Sequence, residues 1–344
     1  MRQLTIITAI TAAILINSCQ KATIEPDRTD SNQERVAVAV TFPELPKTKS
    51  AVDTDAMERA VERICLVIYR MIDGEPHFDS FYDFGDEREG LVYVYPDRPA
   101  DSYLFVAYAN HPTLGMNTWA YDWTHFRNER LGSFQMQGQE RKTITQLLTS
   151  ASISIGLNRQ VCKLSVKKIS LRWKSEFLAQ KDFRIRSVYL TDVEGTKRII
   201  HDVPAEQAES WWNPNGYLSS IQDAMIYSEV DEVLDDRTSI RLDRTFYGYI
   251  SPQQEFNTTS EWKEGGTRLV IEASYGARMM YYPIVINNQN VESLSNIHYV
   301  IEDIIITKVG APSPYALYPE ENPVTVSCFI NEWVVVSHGS LEVN

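Results

Sequence analysis

Alternation of apolar and polar residues recurs along most of this chain and restricts it to strands packed with one face inward. In the run Val36-Ala-Val-Ala-Val-Thr-Phe42, the side chains of Val36, Val38, Val40 and Phe42 share one face. The stretch 64–69 is apolar at every position, the pattern of a strand covered on both sides. Further strand-like runs cover 103–109, 153–157, 161–166, 183–190, 269–273, 281–286 and 299–306. After Val161 the apolar residues hold even positions (Cys162, Leu164, Val166) and then odd ones (Ile169, Leu171, Trp173), which predicts a bulge at Lys167-Lys168. Helical spacing is scarce, with short helices expected only at 54–63 and 205–212. The reading is all-β: two Ig-like β-sandwich domains in tandem with few short helices.

The 344 residues suffice for two domains, each with its own core. The boundary is placed near Leu157, giving an N-terminal domain over 35–157 and a C-terminal domain over 158–344. A hydrophobic content of 43% marks the chain as globular. Its net charge of −13 argues against nucleic acid, whose phosphates require a basic face.

The N-terminus opens with Arg2 and an uncharged, largely apolar run over 4–16. That is short for a membrane span and fits the core of a signal peptide over 1–18. It ends in Leu15-Ile-Asn-Ser-Cys19, a small residue before a cysteine, as in a bacterial lipoprotein box. Cys19 is then the lipidation site and the mature N-terminus. Several acyl chains on one residue give a stable anchor. The polar stretch 19–34 reads as a tether. Cys65, Cys162 and Cys328 are odd in number and sit in apolar runs, so they are expected to be buried thiols rather than a disulfide framework.

The run at 36–42 is followed by Pro43-Glu-Leu-Pro46 and then by Lys47-Thr-Lys-Ser50, a loop that a trypsin-like protease can cut at Lys49–Ser50. The order is a tether, an edge strand and a cleavable loop. A cut there would release Val36, Val38, Val40 and Phe42. Burying each is worth roughly 1.5–3 kcal/mol, or on the order of 6–12 kcal/mol together. A typical domain has only about 5–15 kcal/mol of net stability. A domain that loses this strand therefore needs another, which a second subunit can supply by strand addition. Head-to-tail donation that does not close a ring gives a filament. The bland reading of Lys47 and Lys49 is a solvated turn that is never cut.

A Pro-rich segment over 312–323 leads to a last strand in which Val324, Val326, Cys328, Ile330, Val334 and Val336 hold even positions, broken by Glu332 and followed closely by Trp333. Such a strand either completes its own sheet or fills an apolar groove in a neighbour.

Signatures of other chemistry are missing. There is no dinucleotide, P-loop, zincin or nucleophile-elbow motif, and the six His are scattered without zinc-ligand spacing. Two acidic groups, Asp79/Asp83/Asp86/Glu87 and Asp231/Glu232/Asp235/Asp236, lack EF-hand spacing and read as surface loops. Trp119, Trp123, Trp211 and Trp212 lie in loop-like surroundings, where they either pack or stack on sugars. No enzymatic activity, metal or cofactor is expected.

Several segments, taken in order, resemble the fimbrillins, subunits of lipoprotein-derived fimbriae of certain Gram-negative bacteria. Val326-Ser-Cys-Phe-Ile-Asn-Glu-Trp-Val-Val-Val336 resembles their C-terminal strand. Tyr281-Tyr-Pro-Ile-Val-Ile-Asn287 resembles a segment before their last strands. Ala60-Val-Glu-Arg-Ile-Cys-Leu-Val-Ile-Tyr69 is similar to the first strand after their processing site. Leu104-Phe-Val-Ala-Tyr-Ala-Asn110 and Arg159-Gln-Val-Cys-Lys-Leu164 fit as well, whereas 191–264 matches nothing in the family pattern. The resemblance implies two transthyretin-like sandwiches, export as a lipoprotein, and cleavage after a basic residue in the first inter-strand loop. It also implies polymerisation by donation of the C-terminal strand. Lys49 stands where the family carries Arg, which suits a trypsin-like protease but not a strictly Arg-specific one. The expected partners are other fimbrial subunits, the processing protease and the outer membrane. The alternatives are an unprocessed fimbrial anchor and a glycan-binding surface lipoprotein.

Overall fold

The computed structural model describes residues 23–24, 35–44, 57–111, 123–126, 129–198, 211–212, 225–250, 267–286, 295–314 and 324–332. They form two β-sandwiches. In the first, a six-stranded sheet has the order β1 (Thr23–Ile24), β4 (Glu75–Gly85), β3 (Ile64–Ile72), β6 (Ala100–Ala109), β8 (Met136–Thr145) and β10 (Asn158–Arg159). It faces a three-stranded sheet in the order β5 (Glu89–Val94), β2 (Val36–Thr41) and β9 (Ser150–Ser154). The β3–β4 hairpin turns through Asp73-Gly74, both at positive φ (54° and 92°), the combination that suits a two-residue type I′ turn.

The second sandwich pairs two four-stranded sheets. One has the order β17 (Ser239–Gly248), β11 (Cys162–Leu171), β20 (Ile297–Ile306) and β21 (Val324–Glu332). The other has the order β16 (Tyr227–Leu234), β12 (Phe183–Thr191), β18 (Arg268–Tyr275) and β19 (Arg278–Val285). Two small ribbons complete the fold: β7 (Trp123–His125) pairs with β14 (Thr196–Arg198), and β13 (Val193–Glu194) with β15 (Trp211–Trp212). The β7–β14 ribbon ties a segment of the first sandwich to the second by backbone pairing.

The period-two faces are buried as their pattern requires. Ile64, Leu66 and Ile68 of β3 point into the main core, while Cys65, Val67 and Tyr69 join a second apolar cluster with Phe81, Leu104, Val106 and Tyr108 on the other side of the sheet. β3 is thus covered on both faces, as its unbroken apolar run predicts. The register of β11 against β17 slips between Val166 and Lys168, the predicted bulge. The main core is continuous through both sandwiches.

Four local expectations are corrected. The strand at 36–41 is not an edge: β2 lies between β5, to which it is antiparallel, and β9, to which it is parallel. Alternation reports which face is buried, not how many neighbours a strand has. The helix expected over 54–63 is seen at Met57–Glu58 but ends there, and residues 60–63 belong to no helix or strand. There the Asn110 side chain donates to the Ala60 carbonyl (2.8 Å) and accepts from the Glu62 amide (2.8 Å), engaging backbone groups that a helix would need. Residues 51–56 and 199–210 lie outside the described residues, and Trp211–Trp212, at the end of the second predicted helix, is a strand. Within the stretch read as a tether, Thr23–Ile24 pairs with Tyr82 and Phe81 at the edge of β4.

Candidate functional site

β2 and its surroundings form the site. Val36, Val38, Val40 and Phe42 are 1, 0, 0 and 2% exposed, so all four predicted side chains enter the core. Phe42 meets Phe84 edge-on, with ring centroids 5.2 Å apart. Its amide donates to the Arg88 carbonyl (2.8 Å), and the Thr41 carbonyl accepts from the Ile155 amide (2.9 Å). Both edges of β2 are therefore used. Its removal would leave a groove floored by core side chains and walled by the bare edges of β5 and β9, each costly to expose. Phe42→Ala should lower the unfolding free energy of the uncut chain by about 3–5 kcal/mol, read from a urea titration.

The strand expected to be the donor belongs to the second sandwich. Among the described residues β21 is the outer strand of its sheet and pairs with β20 alone, from Ile297↔Glu332 to Ile306↔Val324, with a register shift between Ile301 and Asp303. Its residues from Val324 to Asn331 carry no charge. Two other outer strands carry exposed charges, Glu229, Asp231 and Glu232 on β16 and Arg241, Asp243 and Arg244 on β17, whereas the outer strand β9, like Val324–Asn331, has none. Charges on an edge discourage pairing with another chain, and β21 lacks that protection. Val324, Val326, Cys328 and Ile330 lie on this strand. Trp333, Val334 and Val336 lie outside the described residues, as do Cys19, Lys49 and Ser50.

The remaining candidates resolve into packing and pairing. Asp79 and Asp83 belong to strand β4, not to a surface loop, and Asp79 is buried. Arg63 grips Asp83 with two donors (2.7 and 3.2 Å), and the arginine helps hold that carboxyl below its usual range against the opposing effect of burial. Asp231 takes one bond from each of Arg184 and Arg186 (2.9 and 2.8 Å). Among the described residues no group of three His, Cys, Asp or Glu is placed to hold a metal ion. Trp123, Trp211 and Trp212 sit in paired strands rather than loops, and Trp119 lies outside the described residues. Cys65 and Cys162 are buried free thiols, and burial pushes Cys65 up to about 12, far from reactive.

A polar cluster at the joint between the sandwiches has no counterpart in the sequence reading. Glu58 is fully buried; its Oε1 accepts from Lys163 Nζ (2.6 Å) and from the Tyr247 hydroxyl (2.6 Å). Lys163 and Tyr247 are cross-strand partners on β11 and β17, so sheet register brings both donors to one oxygen. Arg159 Nε donates to the Glu58 carbonyl (2.7 Å), and its NH1 donates to Asn296 Oδ1 (3.2 Å). Nearby, Glu129 accepts from the Tyr249 hydroxyl (2.5 Å) and the Gln135 amide (2.9 Å). A lone Glu after a cleavable loop carries no signal that would mark it as buried. His298, beside Lys163 on β20, is driven down to about 3 by burial and by the Lys163 and Lys167 charges, and stays neutral.

Asp192 sits at the end of β12 with φ +57° and 5% exposure. Burial pushes its carboxyl up to about 7, against the pull of Arg268 and a bond from Thr191. The folded state thus keeps a proton that the unfolded chain releases near pH 4. The associated stability is complete below that pH, declines as pH rises towards 7, and is level above it. Asp192→Asn should therefore stabilise the chain at pH 8 and give no advantage at pH 4, as read from paired melting curves.

No family model matches the sequence, and no curated protein matches it. Solved structures do. A fimbrilin from Porphyromonas gingivalis W83 superposes with a TM-score of 0.61 at 13% identity, over 89% of this chain and 99% of that one. A candidate cell adhesion protein of Bacteroides eggerthii gives 0.58 at 12% identity, over 88% and 97%. Another, from Parabacteroides distasonis, gives 0.57 at 13%, over 88% and 100%. With nearly the whole of each chain aligned, this protein has the fold of the fimbrilin and of these two proteins.

Proposed function

We propose that the chain is a structural subunit of a cell-surface fimbria that supports adhesion, exported as a lipoprotein and polymerised by strand exchange. The observation that carries this reading is the place of β2, a middle strand whose four apolar side chains fill the first sandwich and which lies upstream of the basic loop at Lys49–Ser50. The likeness of fold to a fimbrilin supports it. In this reading Cys19 is acylated and holds the precursor in the outer membrane. A trypsin-like protease cuts at Lys49–Ser50, and Val36, Val38, Val40 and Phe42 leave with the released segment. The domain over 35–157 then presents the groove between β5 and β9. The final strand of another subunit, from Val324 through Trp333 to Val336, fills it. Partners are further copies or other fimbrial subunits, and no cofactor or catalysis is involved.

Two measurements test this. Mass spectrometry of the surface-exposed protein should find a mature N-terminus at Ser50 or close to it; an acylated Cys19 retained throughout the population would point instead to an unprocessed anchor or surface lipoprotein. Deleting residues 324–344 should abolish polymer ladders on gels while the monomer remains exported. Ladders that survive the deletion would rule out the final strand as donor.

A further inference from the structure

We propose that the Glu58–Lys163–Tyr247–Arg159 cluster is a lock that makes the two sandwiches one mechanical unit and pins the stretch downstream of the Lys49–Ser50 loop to the second sandwich. With Asn296, which accepts from Arg159, it draws on five separate parts of the chain: Glu58 before β3, Arg159 on β10, Lys163 on β11, Tyr247 on β17 and Asn296 before β20. Glu58 and Arg159 sit on the side of the first sandwich, and Lys163, Tyr247 and Asn296 on that of the second.

Burial sets the strength of the lock. Side-chain exposure is 0% for Glu58 and 5% for Lys163, so neither charge can turn to water if the joint shifts. A buried charge that loses its partner is far costlier than one at the surface, which makes the closed arrangement steep-walled. Burial beside the Glu58 charge also raises the Tyr247 phenol pKa, so its proton stays in place as a donor. The Phe134 ring packs on Tyr247, with centroids 5.0 Å apart. The Tyr249–Glu129 bond and the β7–β14 ribbon cross the same joint.

Glu58 follows Ser50 in sequence, so a cut at Lys49–Ser50 leaves every member of the lock in place. The first strand could then depart without loosening the joint. The lock itself is independent of whether the chain polymerises.

Hydrogen exchange on the full, uncut chain tests the lock. The Gln160 and Phe126 amides report on the joint, through bonds to the Gln135 carbonyl (3.0 Å) and the Gly195 carbonyl (2.9 Å). Val106, inside the six-stranded sheet, is the internal reference. Glu58→Gln should speed exchange at Gln160 and Phe126 on the order of a hundredfold and leave Val106 unchanged. Tyr247→Phe keeps the ring and removes one donor; it should speed the same two amides roughly tenfold and serves as the deciding variant if Glu58→Gln does not fold. Unchanged rates at Gln160 and Phe126, or acceleration shared equally by Val106, would overturn the proposal.

Discussion

The structure depends on the occupancy of one position, the middle of the three-stranded sheet. An outer strand can leave a sheet and expose one row of backbone groups, but β2 is bonded on both sides and fills the core with Val36, Val38, Val40 and Phe42. Something must therefore lie between β5 and β9 if the first sandwich is to stand. The spacing of Val324, Val326, Cys328 and Ile330 on β21 matches that of the four β2 residues. In the proposed exchange, a donor running in the direction of β2 would be antiparallel to β5 and parallel to β9. The opposite direction would exchange those relations and still use both edges.

The joint gives this arrangement its second requirement. In a strand-exchange polymer each subunit is held by a neighbour's strand in its first sandwich and gives up a strand from its second, so tension passes through the contact between them. A covalent link of a few residues between β10 and β11 transmits pull but not orientation. Orientation comes from lateral contacts: the shared core, the β7–β14 ribbon and the buried Glu58 cluster.

Much of the fold could be read from the sequence because a β-sandwich writes its burial into alternation. The four β2 side chains, the doubly covered β3 and the bulge after Val166 all follow from side-chain period alone. Neighbour relations do not. Whether β2 is central or peripheral depends on β5 and β9, which lie about 50 and 110 positions away in sequence, and no local pattern encodes that pairing. The Asp73-Gly74 pair is the local residue signal for the β3–β4 hairpin. The helix expected over 54–63 is present at Met57–Glu58 and does not continue to Arg63, where Asn110, distant in sequence, engages the backbone at Ala60 and Glu62. The Glu58 cluster was invisible for the same reason, since its members meet only once both sandwiches are folded.

The most direct test of the account is to see which strand fills the groove in an assembled fibre. A cryo-electron microscopy map of fibres isolated from the cell surface, at side-chain resolution, would show it between β5 and β9. The account predicts density for the Val324–Glu332 strand of the adjoining subunit and none for the subunit's own Val36–Thr41. A fibre in which each subunit keeps its own Val36–Thr41 strand in that position would contradict it.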